Sequence, residues 1–486
     1  MIELSGLTFA YPGESPVLRD ISLTVPGGSH VALMGKNGTG KSTLALLVKG
    51  LLFPSAGTVT VDGLTATDDA SRREVMKRVG LVFQNPDNTI VATTVERELA
   101  FGLENTGVPA GEMRARVEEA LERFDLQDYR YTNPSHLSGG EKQRLALVAV
   151  MIMRPSHLIL DEPTSLLDPW SRGHILELVH DAAREGATVV HITQFPEEAG
   201  AADRVIVLDE TGIAIDASPG EALENPEFKA SFTHGVVRRV SACLPLHNGE
   251  TGEPSPAVAL ESVTHVYEQG TPFAHTALDN VSLALPSGTS TVLLGPTGAG
   301  KTTLLEIAAG VTAPTGGKAV AGEPCVRAMA FQFPEDQMFG DTVEAYIAFG
   351  PLNIGVSNSD IYDAVNDALE HVGLDPGAFR ERDPFTLSGG EKRRAALAGV
   401  LAMKPDVLVL DEPFAGLDSD GTGLILVSLR NYLDGGGTLF FSTHDVRVAR
   451  CVADYAVVLD GGRIESAGGV GEVFERSEKM SLLENS

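Results

Sequence analysis

The sequence predicts an α/β fold built twice in one chain. Three observations predict it. A glycine-rich loop, GKNGTGKS at Gly35–Ser42, returns as GPTGAGKT at Gly295–Thr302. Each loop lies between a short apolar run and a helical pattern. Each is followed in the same order by a glutamine, an LSGGE segment and an apolar run ending in Asp-Glu. Apolar runs with polar carboxyl ends, separated by helices, describe a mainly parallel sheet with its ligand at the strand ends.

The elements follow in order. Val31–Met34 is a short strand entering the first loop, and Ser42–Gly50 is the helix leaving it. Thr291–Leu294 and Thr303–Gly310 repeat that pair. After Gln84 and Gln332 come Leu137–Glu141 and Leu387–Glu391, which open helices over Glu141–Met153 and Glu391–Met403. Leu158–Leu160 and Val407–Leu410 read as buried strands ending in Asp161-Glu162 and Asp411-Glu412, with Leu167-Asp168 and Leu417-Asp418 beyond. Lys41 and Lys301 are 260 residues apart, whereas Ser138 and Ser388, like Asp161 and Asp411, are 250 apart. The second copy is therefore shorter between its loop and its LSGGE. A repeat of this length is a whole domain. The expected domains are 1–237 and 257–486, joined by a linker over 238–256 that is polar and rich in Gly and Pro.

The 486 residues suffice for two cores. A formal net charge of −29 opposes unaided binding to nucleic acid or anionic lipid, so membrane association would need a protein to dock on. The longest obvious apolar run, Leu145–Met153, is about half the length of a transmembrane helix. Met1-Ile2-Glu3-Leu4 starts directly as a strand with no basic leader, so no signal peptide is expected. Cys243, Cys325 and Cys451 are few and scattered, which fits a reduced compartment and neither a disulfide framework nor a metal site.

The loops point to a nucleoside triphosphate. Their glycines let backbone N–H groups turn toward the phosphates, Lys41 and Lys301 reach the β/γ-phosphates, and the hydroxyls of Ser42 and Thr302 suit Mg²⁺. The contact set is Gly35, Lys36, Asn37, Gly38, Thr39, Gly40, Lys41, Ser42 and Thr43, and again Gly295, Pro296, Thr297, Gly298, Ala299, Gly300, Lys301, Thr302 and Thr303. Asp161 and Asp411 suit the Mg²⁺ shell; Glu162 and Glu412 suit polarising an attacking water. Ser138, Gly139, Gly140 and Glu141, with Ser388, Gly389, Gly390 and Glu391, open helices whose N-termini are anion sites. Each unit thus has two phosphate-binding surfaces for one nucleotide, and the economical arrangement lends the second to the other unit.

Loop, glutamine, LSGGE, Asp-Glu and the Leu-Asp turn together resemble the ATP-binding cassette (ABC) ATPases, across nearly the whole chain, twice. The resemblance implies, in each domain, a mainly parallel core sheet, an antiparallel β subdomain and an α-helical LSGGE subdomain. It implies head-to-tail closure around two ATPs. It places Tyr11 and Tyr267 where an aromatic stacks on adenine, and puts Gln84 and Gln332 beside the metal and γ-phosphate. One site would pair Lys41, Ser42, Gln84, Asp161, Glu162 and Gln194 with Ser388–Glu391. The other would pair Lys301, Thr302, Gln332, Asp411, Glu412 and His444 with Ser138–Glu141.

The segments after the glutamines, Phe83–Glu96 with Ala100–Asn105 and Phe331–Phe339 with Thr342–Glu344 and Ala348–Asn353, are similar to those of the two ATPase subunits of energy-coupling-factor importers for vitamins or transition-metal ions. That implies two partners, a transmembrane coupling component and a membrane substrate-binding component, and a place on the cytoplasmic face of the membrane. Ile90, Val91, Met338 and Phe339 are apolar residues for a partner helix, or alternatively core. Other readings are the ATPase of another importer class, such as a sugar system, or a soluble twin cassette acting on ribosomes or DNA. The acid charge and short linker weigh against the last. One position departs from the family: the second unit has His444 at the switch to the γ-phosphate, and the first has Gln194. An amide donates a hydrogen bond but carries no charge. His191, three residues earlier on the same strand, faces the other way. The two sites are expected to be unequal.

Overall fold

The computed structural model describes residues 1–13, 15–165, 167, 169–233, 256–271, 274–322, 324–332 and 337–476. The chain divides into two compact units, Met1–His234 and Gly235–Ser486. Residues 238–255 of the expected linker lie outside the described residues; Pro256 opens a strand.

In the first unit the strands β1 (Ile2–Phe9), β2 (Leu18–Val25), β4 (Ala56–Val61) and β5 (Leu64–Thr65) form an antiparallel sheet in the order β2-β1-β4-β5. Ile2, Leu4, Leu7 and Phe9 turn one face of β1 into a core with Leu44, Leu47 and Val48 of the helix Lys41–Lys49. A second sheet orders β10-β9-β3-β8-β7-β6, with β3 at His30–Gly35, β6 at Val79–Val82, β7 at His157–Asp161, β8 at Thr188–Ile192, β9 at Arg204–Asp209 and β10 at Gly212–Ala217. Every pair in it is parallel except β9–β10. β3 and β7 are buried at every residue, because helices cover both faces of the parallel sheet. A helical layer, Val95–Asn105, Ala110–Arg123 and Gly139–Met151, has its own core of Val95, Leu99, Leu121, Leu145 and Val148.

The second unit repeats this plan. β11 (Pro256–Tyr267), β12 (His275–Pro286) and β14 (Gly316–Ala321) form an antiparallel sheet. Beside it lies a sheet ordered β15-β16-β17-β13-β18-β19, with β13 at Ser290–Leu294, β15 at Arg327–Ala330, β16 at Val407–Leu410, β17 at Thr438–Ser442, β18 at Tyr455–Asp460 and β19 at Arg463–Gly469. The helices Val343–Asn353, Asn358–His371 and Gly389–Leu401 form the matching layer. Each unit therefore has the parallel sheet, the antiparallel sheet and the helical layer expected of it. Both parallel sheets send their glycine loop, acidic pair and switch segment off the same carboxyl edge, since β3, β8 and β7, like β13, β17 and β16, are successive parallel neighbours.

Candidate nucleotide sites

Each glycine loop leaves its strand by a turn only glycine fits. A Cβ on Gly35 would meet the Leu208 carbonyl oxygen at 2.5 Å, and one on Gly295 the Leu459 carbonyl oxygen at 2.1 Å. Gly40 and Gly300 sit at φ 90° and 95° as the N-caps of Lys41–Lys49 and Lys301–Ala309, with no side-chain cap. No side-chain cap therefore competes with an anion at these helix starts. Lys41 Nζ donates to the carbonyls of Gly35 and Lys36 at 2.8 and 2.9 Å; Lys301 Nζ donates to those of Gly295 and Pro296 at 2.7 and 3.0 Å. Both lysines are buried and held over their own loops. Thr39 Oγ1 donates to the Lys36 carbonyl at 2.9 Å and tightens the first loop.

Tyr11 and Tyr267 lie beside the loop helices. Their hydroxyls are 3.2 Å from Thr43 Oγ1 and 3.0 Å from Thr303 Oγ1. Tyr267 is 42% exposed.

The acidic pairs end β7 and lie just past β16. Asp161 and Asp411 are buried, and burial raises both carboxyls above the ordinary range against hydrogen bonds from Ser42 to Asp161 and from Ser442 and Thr302 to Asp411. Thr302 Oγ1 donates to Asp411 Oδ2 at 2.6 Å. Glu162 and Glu412 share a backbone of φ 48° and 49°. That left-handed conformation is uncommon for a side-chain-bearing residue and costs on the order of 1 kcal/mol or more. The Glu162 N–H donates to the Ile192 carbonyl at 3.0 Å, and the Glu412 N–H to Ser442 Oγ at 2.9 Å.

The residues at the switch positions meet the glutamates. Gln194 Nε2 donates to Glu162 Oε1 at 2.7 Å and to Asn37 Oδ1 at 3.1 Å. His444 Nε2 lies 3.0 Å from Glu412 Oε1. The electrostatic result differs. Burial pushes Glu162 up to about 7; Lys41 and the neutral amide of Gln194 offset only part of it, and Asp161 and Glu198 add to it. Burial pushes Glu412 the same way, but His444 and Lys301 outweigh it and leave the carboxyl below its usual value.

Gln84 Nε2 donates to Glu162 Oε2 at 3.2 Å and to Ser165 Oγ at 3.1 Å, which leaves its amide oxygen as a free lone-pair donor. The backbone carbonyl of Gln332 accepts from Arg393. Ser138 and Ser388 cap the helices Gly139–Met151 and Gly389–Leu401 through reciprocal boxes with Glu141 and Glu391. The helices start two residues before the sequence-based bounds, because the box draws Gly139-Gly140 and Gly389-Gly390 into the first turn.

A family model described as ABC transporter matches residues 18–165 and again 278–415. The chain belongs to the ABC transporter ATPase family. Its two ABC domains bind ATP and are ATP hydrolases. A putative ABC transporter ATP-binding protein of Bifidobacterium longum is 33% identical over 519 residues, covering 96% of this chain and 66% of that protein. This chain thus spans about two thirds of that relative's length. A putative HMP/thiamine import ATP-binding protein of Bacillus subtilis, YkoD, is 30% identical over 525 residues, covering 100% of this chain and 94% of that protein. The energy-coupling factor transporter ATP-binding protein EcfA1 of Symbiobacterium thermophilum is 47% identical over 229 residues, covering 45% of this chain and 80% of that protein.

Within these ABC domains some residues escaped the sequence reading. Ser442 Oγ donates to Asp411 Oδ1 at 2.6 Å; its counterpart on β8 is Ile192, and that contrast was the available signal. Ser165 Oγ accepts from Gln84, and Asn37, expected as a nucleotide contact, also accepts from Gln194. Of the candidate partner residues, Met338 is core, buried against Val343 and Ile347. Ile90 packs against the helical core. Val91 and Phe339 stay 63% and 44% exposed. Asp168 and Phe333–Asp336 lie outside the described residues.

Proposed function

We propose that this chain is the fused double ATPase of an energy-coupling-factor-type importer, acting from the cytoplasmic face of the membrane. The observation that carries the reading is the 47% identity to an energy-coupling factor ATP-binding protein, in a chain that carries the ABC domain twice. The name of the Bacillus subtilis relative favours a vitamin or vitamin precursor as cargo, within the wider class of vitamins and transition-metal ions. The cargo itself is selected by the membrane partners, a transmembrane coupling component and a substrate-binding component. Among the described residues no helix is long and apolar enough to cross a membrane, so the transport path belongs to those partners.

In this reading the domains, 1–237 and 257–486, close head-to-tail. Each nucleotide is held by one unit's loop and the other unit's LSGGE helix start. Ser42 with Asp161, and Thr302 with Asp411, are oxygen donors of the kind a hard divalent cation takes, and with Gln84 and Gln332 they would hold Mg²⁺. When bound, that ion neutralises phosphate charge. The chain supplies the rest. Lys41 and Lys301 turn from their own carbonyls to the phosphates, and Tyr11 and Tyr267 offer ring faces to adenine. Glu412, ionised and aligned by His444, takes the proton from the attacking water. Glu162, held by an uncharged amide, does so less readily. ATP favours the closed pair by contacts that the open pair lacks, and hydrolysis removes them.

Exposed apolar side chains follow each glutamine: Val91 with Phe101, 46% exposed, and Phe339 packed edge-on against Phe349 at 4.8 Å. These suit a membrane subunit's helix. Val91→Asp with Phe339→Asp should abolish co-purification with the membrane subunits while leaving the melting temperature unchanged. Intact assembly from that stable variant contradicts the docking assignment.

A further inference from the structure

A buried polar cluster in the first unit has no counterpart in the second. Glu198, on the short helix Pro196–Ala199, is buried. Its Oε1 accepts from Thr164 Oγ1 at 2.6 Å, and its Oε2 accepts from Thr193 Oγ1. His191 Nε2 lies 3.4 Å from Oε2, and Arg172 Nε 3.9 Å from Oε1. The Arg172 guanidinium also stacks on Phe195, 3.9 Å from the ring centroid. Thr193 Oγ1 accepts from the Phe195 N–H at 3.1 Å.

These residues bracket the reacting group. Thr164 lies two positions after Glu162, Thr193 one before Gln194, Phe195 one after it, and Arg172 on the helix Pro169–Arg184. One carboxylate therefore ties the segment leaving Glu162 to the turn that presents Gln194. Glu198 also adds to the field that raises the Glu162 carboxyl.

The second unit fixes the same turn differently. The positions of Thr164, Arg172, His191 and Glu198 are taken by Phe414, Thr422, Phe441 and Val448. Phe414 and Phe441 pack edge-on with ring centroids 6.4 Å apart. Asp445, directly after His444, caps the helix Val446–Val452, its Oδ1 accepting from the N–H groups of Arg447 at 2.8 Å and Val448 at 3.3 Å. In the first unit Phe195 stands at that cap and makes no side-chain cap bond. A carboxylate orders the turn in both units, from the cap in one and from inside the helix in the other.

We propose that Glu198 is a positioning residue for the first nucleotide site, an internal substitute for the missing helix cap that holds Gln194 against Glu162. This rests on the ATPase reading of that site. It predicts that loosening Glu198 harms recognition of the γ-phosphate and spares the rest of the nucleotide.

The test uses the full chain with Lys301→Ala, so that nucleotide binding reports the first unit. Mg-ATP and Mg-ADP affinities are measured by calorimetry. Glu198→Ala should reduce the ATP-over-ADP preference roughly five- to tenfold, the loss of about one well-placed hydrogen bond, with ADP affinity within about twofold. A graft of the second unit's packing, Thr164→Phe with Arg172→Thr, His191→Phe and Glu198→Val, should fold and show the same loss. Adding Phe195→Asp to the graft should restore the preference by supplying the cap. If Glu198→Ala fails to fold, the graft carries the test. An unchanged preference in a folded graft, equal weakening of ATP and ADP, or no rescue by Phe195→Asp overturns the inference. A parent chain that binds neither nucleotide removes the ATPase reading of the site, and this inference with it.

Discussion

The two units share a fold and a loop but differ in how each holds its glutamate. In the second, a histidine sits 3.0 Å from Glu412, a cap orders the turn, and the carboxyl lies below its usual range. In the first, an amide sits 2.7 Å from Glu162, a buried carboxylate orders the turn, and the glutamate is pushed up to about 7. One residue at the switch, glutamine for histidine, changes the charge beside the glutamate while geometry is kept. The lesson is that hydrogen-bond reach and electrostatic support are separable in an active site.

The largest expected effect breaks the symmetry directly. Glu412→Gln in the partner-bound complex should lower steady-state ATPase by about 10²–10³-fold, the range for removing a well-placed group that stabilises developing charge. Glu162→Gln should leave clearly more activity. Equal losses would mean that the sites fire as one.

The next prediction concerns acid stability. Burial, His191 and His180 hold His30 down to about 4, against a weaker pull from Asp203; burial and His180 hold His191 to about 4. The unfolded chain titrates these groups near 6.5, so between pH 6.5 and 4 it binds more protons than the fold. The stability they contribute is full above 6.5 and is lost as pH falls toward 4, by roughly 3 kcal/mol for one such histidine. In the second unit Ser290 and Phe441 stand at these strand positions. His191→Phe should therefore gain melting temperature relative to wild type as pH drops from 6.5 to 4. A pH-independent gap between the two would contradict the buried, neutral imidazole.

A smaller effect sharpens the comparison of turns. Asp445→Ala removes a helix cap and should cost about 1 kcal/mol in chemical unfolding of the second unit. No measurable change would show that the cap does not order that turn.

The fold was legible because the sequence states it twice. Gly35 and Gly295 sit where no Cβ fits, and the apolar runs Val31–Met34 of β3 and Leu158–Leu160 of β7 are buried because both faces are covered. The inequality of Gln194 and His444 was legible as a departure between copies. His191 was read as facing away from Gln194 on one strand; β8 ends at Ile192, before Gln194, and His191 stacks on His30 beside Glu198. Glu198 was not legible, since one glutamate on a four-residue helix has no motif. Its signal was joint, Thr164, His191 and Glu198 becoming Phe414, Phe441 and Val448 together. Met338 was left open by its sequence. Sequence position left a partner contact and a core place both open, and burial in one cluster with Val343 and Ile347 decides for core.

The central claim is that the residue at positions 194 and 444 sets which site turns over faster. The direct measurement is a reciprocal exchange, Gln194→His with His444→Gln, followed by Glu162→Gln or Glu412→Gln in the partner-bound complex. The more damaging glutamate substitution should move from Glu412 to Glu162. Continued dominance of Glu412 in the exchanged protein would place the inequality elsewhere in the units and contradict the claim.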